Sequence, residues 1–328
     1  MIHTGPGARS LRAVPLPRLV DTVLDRLVVP GWSRLGYAAR SAGWRTPPSM
    51  AGRTVIVTGA SGGLGAAAAL GLAGLGARVE MVVRDQGRGE QARDAVLAEH
   101  PGASVDVAVC DVSSLADVRR YAAEVRDREA AVHGLVHNAG VLPAERTETA
   151  EGHELTFATH VLGPFLLTRE LRPVLRAGAG PTTPSRVVLV SSGGMYTTPL
   201  RLDDPESRTG RGGVRPHEAD AGGARRAARR RPGRRRRRRA QHAPGLGRHP
   251  GVASSLPGFH RLTGPLLHTP AQGADTVDWL QAAAEPGHST GLFWHDRAPR
   301  PTHRLRRGDE TPQFRAALWT LCVDATRS

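Results

Sequence analysis

At 328 residues, 39% of them hydrophobic, the chain is long enough to bury a sizeable core, as one large domain or one domain with extensions. All 45 of its basic side chains are arginine, and 11 of these lie between Arg225 and Arg239; without that run the formal charge falls from +15 to +4. A basic balance this local excludes a generally nucleic-acid-coating surface, and no specific nucleic-acid partner is expected. Cys110 and Cys322 supply neither a disulfide framework nor a zinc spacing, so no metal and a reducing cytoplasm are expected. No apolar run reaches the roughly 18 residues of a membrane span, and no signal peptide is evident.

Residues 1–50 read as an N-terminal helical extension, with Val20, Val23, Leu24, Leu27 and Val28 at helical spacing before Pro30 stops the pattern. From Arg53 onward, short β-rich runs alternate with Ala/Leu-rich helical stretches. "TVIVTG" (54–59), "ARVEMVV" (77–83), "VDVAVCD" (105–111), "VHGLVHNAG" (132–140) and "SRVVLVSS" (185–192) are the expected strands. Continuous apolar strands separated by helices predict a parallel sheet covered on both faces, doubly wound in three α/β/α layers. The rhythm stops after Ser192, and residues 208–248 show no apolar periodicity. It resumes with a helix through "AQGADTVDWLQAAA" and a late strand "GLFWHD" (291–296). The expected organisation is therefore a dinucleotide-binding core at 51–205, an Arg-rich segment at 206–249 and the remainder of the same domain at 250–328. The sheet is expected to be disrupted across 211–249.

"TGASGGLG" (58–65) follows the first strand and opens a helix. Glycines there permit a tight turn and close backbone approach to a pyrophosphate, which the helix N-terminus attracts. Without that strand–turn–helix context the same glycines would signal only a tight turn. The second strand ends in Arg84-Asp85. An arginine there pairs with the 2′-phosphate of NADP(H), whereas an acid holds the ribose hydroxyls of NAD(H). Arg84 favours NADP(H), and NAD(H) stays possible if Arg84 is merely solvated and Asp85 takes the ribose.

These stretches, with "CDVSS" (110–114), "HNAG" (137–140) and "VLVSS" (188–192), resemble the ordered motifs of the short-chain dehydrogenase/reductase family over about residues 50–205 and again from near 250. "SSGGM" and "HPGVASSLPGFH" resemble more narrowly the branch typified by dehydrogenase/reductase SDR family member 12. The resemblance implies a Rossmann-type fold and hydride transfer between a nicotinamide and a small carbonyl or alcohol substrate. It implies cofactor contacts from Thr58, Gly59, Ser61, Gly63, Leu64, Gly65 and Arg84. Asp111 and Val112 would sit by the adenine, and Asn138, Ala139 and Gly140 would line the crevice. Ser192 would hydrogen-bond the substrate oxygen. His160 falls where the family carries an asparagine that supports a proton-relay water. It could hold a water or a backbone carbonyl with a pH-dependent charge, or be a tolerated replacement. A homo-oligomer is possible.

The family's acid/base is a tyrosine, with a lysine four residues later that lowers its pKa. That spacing puts both on one helix face, and an unperturbed phenol near pKa ~10 is a poor base at neutral pH. Here the tyrosines stand at 37, 121 and 196, Tyr196 is followed four residues later by Leu200, and there is no lysine. The gap is explained if residues from about 211 to 249 are read out of frame. "VRPHEADA" (214–221) can be coded GTA CGC CCG CAC GAA GCG GAT GCA; one nucleotide later this reads Tyr-Ala-Arg-Thr-Lys-Arg-Met. "APGLGRH" (243–249) shifts in the same way to His-Pro-Gly-Trp-Ala-Asp, the family-like lead into "PGVASSLPGF". Misread GC-rich codons also generate arginine runs, and such a segment is expected to be disordered. The chain as written is expected to be an impaired oxidoreductase. The alternatives are a catalytically inactive dinucleotide-binding protein whose basic segment binds polyanions, or a localisation or membrane-electrostatic patch. The run has no interleaved aromatics to stack bases.

Overall fold

The computed structural model describes residues 33–192, 202, 204–208, 238–242 (backbone), 268–302 and 311–327. Its centre is one eight-stranded sheet in the order β3-β2-β1-β4-β5-β6-β7-β8. The strands are β1 (Thr54–Thr58), β2 (Arg78–Val83), β3 (Val105–Val109), β4 (Gly134–His137), β5 (Arg186–Val190), β6 (Arg238–His242), β7 (Phe293–His295) and β8 (Ala298–Arg300). β1 to β7 pair in parallel and β8 closes antiparallel on β7. The helices are α1 (Arg34–Ser41), α2 (Gly63–Gly74), α3 (Gln86–Glu99) and α4 (Leu115–Arg128). α5 (Leu155–Phe157) passes through a π turn (Ala158–Leu162) into α6 (Gly163–Glu170), followed by α7 (Arg172–Ala177), α8 (Pro270–Ala282) and α9 (Pro312–Ala325).

Alternation along each strand divides the core into two layers, as a sheet covered on both faces requires. Ile56, Val82, Leu135, Val187 and Leu189 pack with α4, α6 and α9 on one face. Val55, Val57, Met81, Val136 and Val188 pack with α2 and α8 on the other. The expected three-layer, doubly wound architecture is thus what forms. No helix among the described residues is long and apolar enough to cross a membrane.

The sheet differs from expectation at its sixth position. The backbone of Arg238–His242 fills that slot, pairing with β5 from Arg186↔Arg238 to Val190↔His242 and with β7 at Gln241↔Phe293 and His242↔Trp294. The sheet is therefore continuous through part of the segment expected to interrupt it. The physical reason is that the ladder is made by backbone N–H and C=O groups, which every non-proline residue carries. The rest of 209–237 and 243–249 lies outside the described residues, as does the helix expected around Val20–Val28.

Three elements went unread in the sequence. Helix α1 sits within the N-terminal extension, α9 covers α4 and α6, and β8 forms a hairpin with β7. The hairpin turn places Asp296 and Arg297 at φ +49° and +55°, a left-handed pair normally supplied by Asn-Gly or Asp-Gly. Long-range contacts hold it. Arg297 binds Asp275 through two nitrogens at 2.6 and 2.8 Å, donates to the Arg45 carbonyl at 2.8 Å and lies 4.6 Å from the Trp44 ring centroid.

Candidate functional site

β1 lies between β2 and β4, so the chain leaves β1 and β4 in opposite directions. The crevice beyond their C-terminal ends is the switch point at which doubly wound sheets take ligands. The glycine-rich turn lies at that point. The Gly59 N–H donates to the Val82 carbonyl at 2.8 Å, keeping the turn bonded to β2 as it leaves the sheet. Gly59 has φ +67°, and a Cβ there would stand 2.7 Å from the Ala139 Cα. A Cβ on Gly65 would lie 2.3 Å from the Gly59 carbonyl oxygen and 2.4 Å from Asn138 Nδ2. Backbone therefore packs directly against backbone where a side chain would block it.

The first turn of α2 has Gly62 at its N-cap, no side-chain cap and no acidic residue. Its N–H groups and partial positive charge consequently face the crevice with no acidic side chain in the turn to engage them. Ser61 and Leu64 stand in this same turn, beside Gly63 at φ +56°.

A latch ties this turn to β4. Thr58 Oγ1 accepts the backbone N–H groups of Asn138 and Ala139 at 3.0 and 3.1 Å and donates to the Val136 carbonyl at 3.3 Å. The Asn138 amide donates to the Thr58 and Gly59 carbonyls at 3.0 and 3.1 Å. Both side chains thus shape the crevice through the backbone.

His160 projects from the π turn, whose extra residue turns it toward the loop after β4. The Val141 N–H donates to His160 Nε2 at 3.0 Å, so this nitrogen is unprotonated in the bonded form. Gly140 makes room, since a Cβ there would come within 3.1 Å of His160 Nε2. The partner at this ring nitrogen is thus a backbone N–H. Ser192, half-buried, lies two residues beyond β5.

At the C-terminal ends of β2 and β3, Arg84 is exposed immediately after β2. Asp85 is the N-cap of α3, its Oδ1 accepting the Arg88 N–H at 2.8 Å. Asp111 Oδ1 accepts from the Ser113 N–H and hydroxyl at 2.9 and 2.7 Å, forming the turn into α4. Val112 is buried against α6, and a Cβ on Gly163 would lie 2.0 Å from the Val112 carbonyl oxygen. Burial pushes the neighbouring Cys110 thiol up to about 12, which keeps it protonated and unreactive.

Thr58 to Gly65, Asn138 to Gly140, His160 and Ser192 therefore stand along the C-terminal ends of β1, β4 and β5. Arg84 and Asp111-Val112 stand at the ends of β2 and β3. Tyr196 lies outside the described residues. The sequence reading missed Glu151, Glu154 and Glu206, which organise the surrounding loops. Glu151 Oε1 accepts the Leu115 N–H at 2.9 Å from across the β4–α5 loop. Glu154 caps α5 by accepting the Phe157 N–H at 2.7 Å. Only the spacing of Glu154 before an apolar run carried any local signal.

Residues 53–198 match the family model described as short chain dehydrogenase. Dehydrogenase/reductase SDR family member 12 of Bos taurus is 37% identical over 84% of this chain and 87% of its own length. The Homo sapiens protein of that name is 35% identical over 77% of this chain and 79% of its own. Among solved structures, a Mycobacterium paratuberculosis protein superposes with a TM-score of 0.67 at 27% identity, covering 88% of this chain and 98% of that one. The Pseudomonas aeruginosa RhlG/NADP complex has the same fold, with a TM-score of 0.62 at 24% identity over 77% of this chain and 97% of that one.

Proposed function

Because this chain belongs to the short-chain dehydrogenase/reductase family of oxidoreductases, we propose that it binds NADP(H) at the β1/β4 switch point, in a site built for a small carbonyl or alcohol. The observation that carries the reading is the side-chain-free cradle of Gly59 and Gly65 beneath the uncapped N-terminus of α2. Thr58, Gly59, Ser61, Gly63, Leu64 and Gly65 would surround the pyrophosphate. Asp111 and Val112 would flank the adenine, and Ala139 and Gly140 would form the wall against the nicotinamide. When bound, the nicotinamide supplies or accepts the hydride. Ser192 would donate a hydrogen bond to the substrate oxygen, stabilising negative charge as it develops there. His160 would keep the Gly140-Val141 wall in place through its bond to the Val141 N–H.

NADP(H) is preferred in this reading because Arg84 is exposed at the ribose end while the Asp85 carboxylate is already engaged in capping α3. Arg84→Ala is expected to weaken NADPH binding by about tenfold, equivalent to about 1.4 kcal/mol, while changing NADH binding little. Fluorescence titration of the two cofactors measures this, and an equal loss for both would remove the assignment.

The family's proton carrier, a tyrosine followed four residues later by a lysine, is absent from the chain as written, which contains no lysine. Carbonyl reduction should accordingly be weak or absent, leaving a dinucleotide-binding protein. The out-of-frame reading is favoured by the position of β6: a slot flanked by strands in the sheet interior is filled by "RRAQH", where a buried parallel strand calls for a largely apolar run. The nucleotide sequence across codons 214–218 is expected to yield Tyr-x-x-x-Lys one base later. Codons incapable of that product would eliminate the reading.

A further inference from the structure

Residues 204–208 lie against the loop that joins β4 to α5. Glu206 fastens the two together. Glu206 Oε2 accepts the Glu154 N–H at 2.6 Å, and Oε1 lies 3.0 Å from His153 Nδ1. The Glu206 carbonyl accepts from Arg146 Nε at 3.0 Å, and Arg146 in turn pairs with Glu148 at 2.7 Å. The receiving loop is itself closed by the Glu148↔Glu154 bridge and by the Leu155 N–H bonding the Thr147 carbonyl at 2.8 Å.

The backbone that presents Glu206 is shaped for the task. Asp204 organises a tight turn, its carbonyl accepting the Ser207 N–H at 3.1 Å and its Oδ1 accepting the Arg208 N–H at 2.7 Å. Ser207 adopts φ +49°, a left-handed conformation that a non-glycine residue holds only when its surroundings impose it. The Glu206 side chain is 14% exposed and that of His153 18%, so the clasp is largely shielded from water.

The clasp leads toward the site through covalent and hydrogen-bonded steps. Glu206 fixes the N–H of Glu154. The buried Glu154 carboxylate fixes the first turn of α5 through the Phe157 N–H at 2.7 Å and the Thr156 hydroxyl at 2.8 Å. α5 continues into the π turn bearing His160, which holds the Val141 N–H of the crevice wall. We propose that Glu206 is a positioning residue: by fixing the N-cap of α5 it sets the π turn that follows and, through His160, the Val141 wall of the crevice. The inference rests on the cofactor and substrate reading given above for what the crevice holds.

Amide-resolved hydrogen exchange on the full chain tests it, with NADPH titration alongside. A bond to a charged acceptor is worth enough that Glu206→Ala should speed exchange at Glu154 roughly tenfold or more. The effect should reach Val141, whose N–H touches no atom of the clasp, while NADPH affinity stays within about twofold. Glu206→Gln, which keeps the shape, should show the same pattern more weakly. Because Glu206→Gln keeps the packing, its residual effect isolates the charge of the accepting group. Exchange that rises at Glu154 but not Val141, or at neither, in either variant would overturn the proposal. Should Glu206→Ala fail to fold, the Glu206→Gln comparison decides by the same two amides. Failure of the wild-type chain to bind NADPH would instead sink the cofactor reading and leave the Glu154–Val141 comparison intact.

Discussion

Replacing Arg40 with alanine is expected to destabilise the folded protein by about 3–5 kcal/mol, the cost of stranding one partner of a buried ion pair. Arg40, on α1, donates to Asp296 Oδ2 at 2.8 Å, and the two side chains are 5% and 3% exposed. Burial raises the Asp296 carboxyl above its ordinary range, and the neighbouring His268, Arg40 and Arg300 offset only part of that rise. Without Arg40 the carboxyl loses its hydrogen-bonded counter-charge and must either stay charged with less compensation or take up a proton. The pH dependence follows. A carboxyl with a raised pKa binds its proton more tightly folded than unfolded, so stability is highest below both values and falls as pH rises from the unfolded toward the folded pKa. Arg40→Ala raises the folded value further and widens that window. The difference between variant and wild type, read from urea midpoints, should therefore be small in acid and largest at neutral pH. A pH-independent difference would show that Asp296 is not the group left uncompensated.

The second large effect is expected at Gly65. Gly65→Val should destabilise the fold by about 1–3 kcal/mol through overpacking. It should also weaken NADPH binding at least about tenfold, or 1.4 kcal/mol. The added Cβ meets the Gly59 carbonyl oxygen and the Asn138 amide, so the substitution pushes apart the Gly-rich turn and the latch that shapes it. Gly62→Ala is the informative control for stability, because a Cβ at Gly62 meets nothing within 4 Å and its φ of 175° is ordinary extended backbone. Equal thermal shifts for the two variants would mean that the cradle is not where the strain lies.

The first five strands and the cradle were legible because their signals are local. "TVIVTG" and "SRVVLVSS" are short apolar runs bounded by turn residues, and a parallel strand buried on both faces must look like that. The glycines of "TGASGGLG" report a backbone that cannot carry side chains, and the structure shows the atoms that forbid them. Roles inside the crevice were less legible. Asn138 could be placed beside the cofactor, but its amide binds the Thr58 and Gly59 carbonyls, partners about 80 residues away. The His160 contact with Val141 likewise depends on how the π turn aims the ring.

By itself, then, the sequence determined the doubly wound sheet, the position of the glycine-rich cradle and the absence of a Tyr-x-x-x-Lys pair, since periodicity, glycine placement and residue identity are properties of the chain. Tertiary structure alone decided the rest. It fills the sixth strand with Arg238–His242, because neighbouring strands offer backbone partners irrespective of side chain. It joins Arg40 to Asp296 across 256 residues and Glu206 to Glu154 across 52. These contacts repeat with no period, and only burial makes them strong: the same charged groups set apart in water would attract one another weakly, and nothing in their spacing announces that the fold removes the water between them.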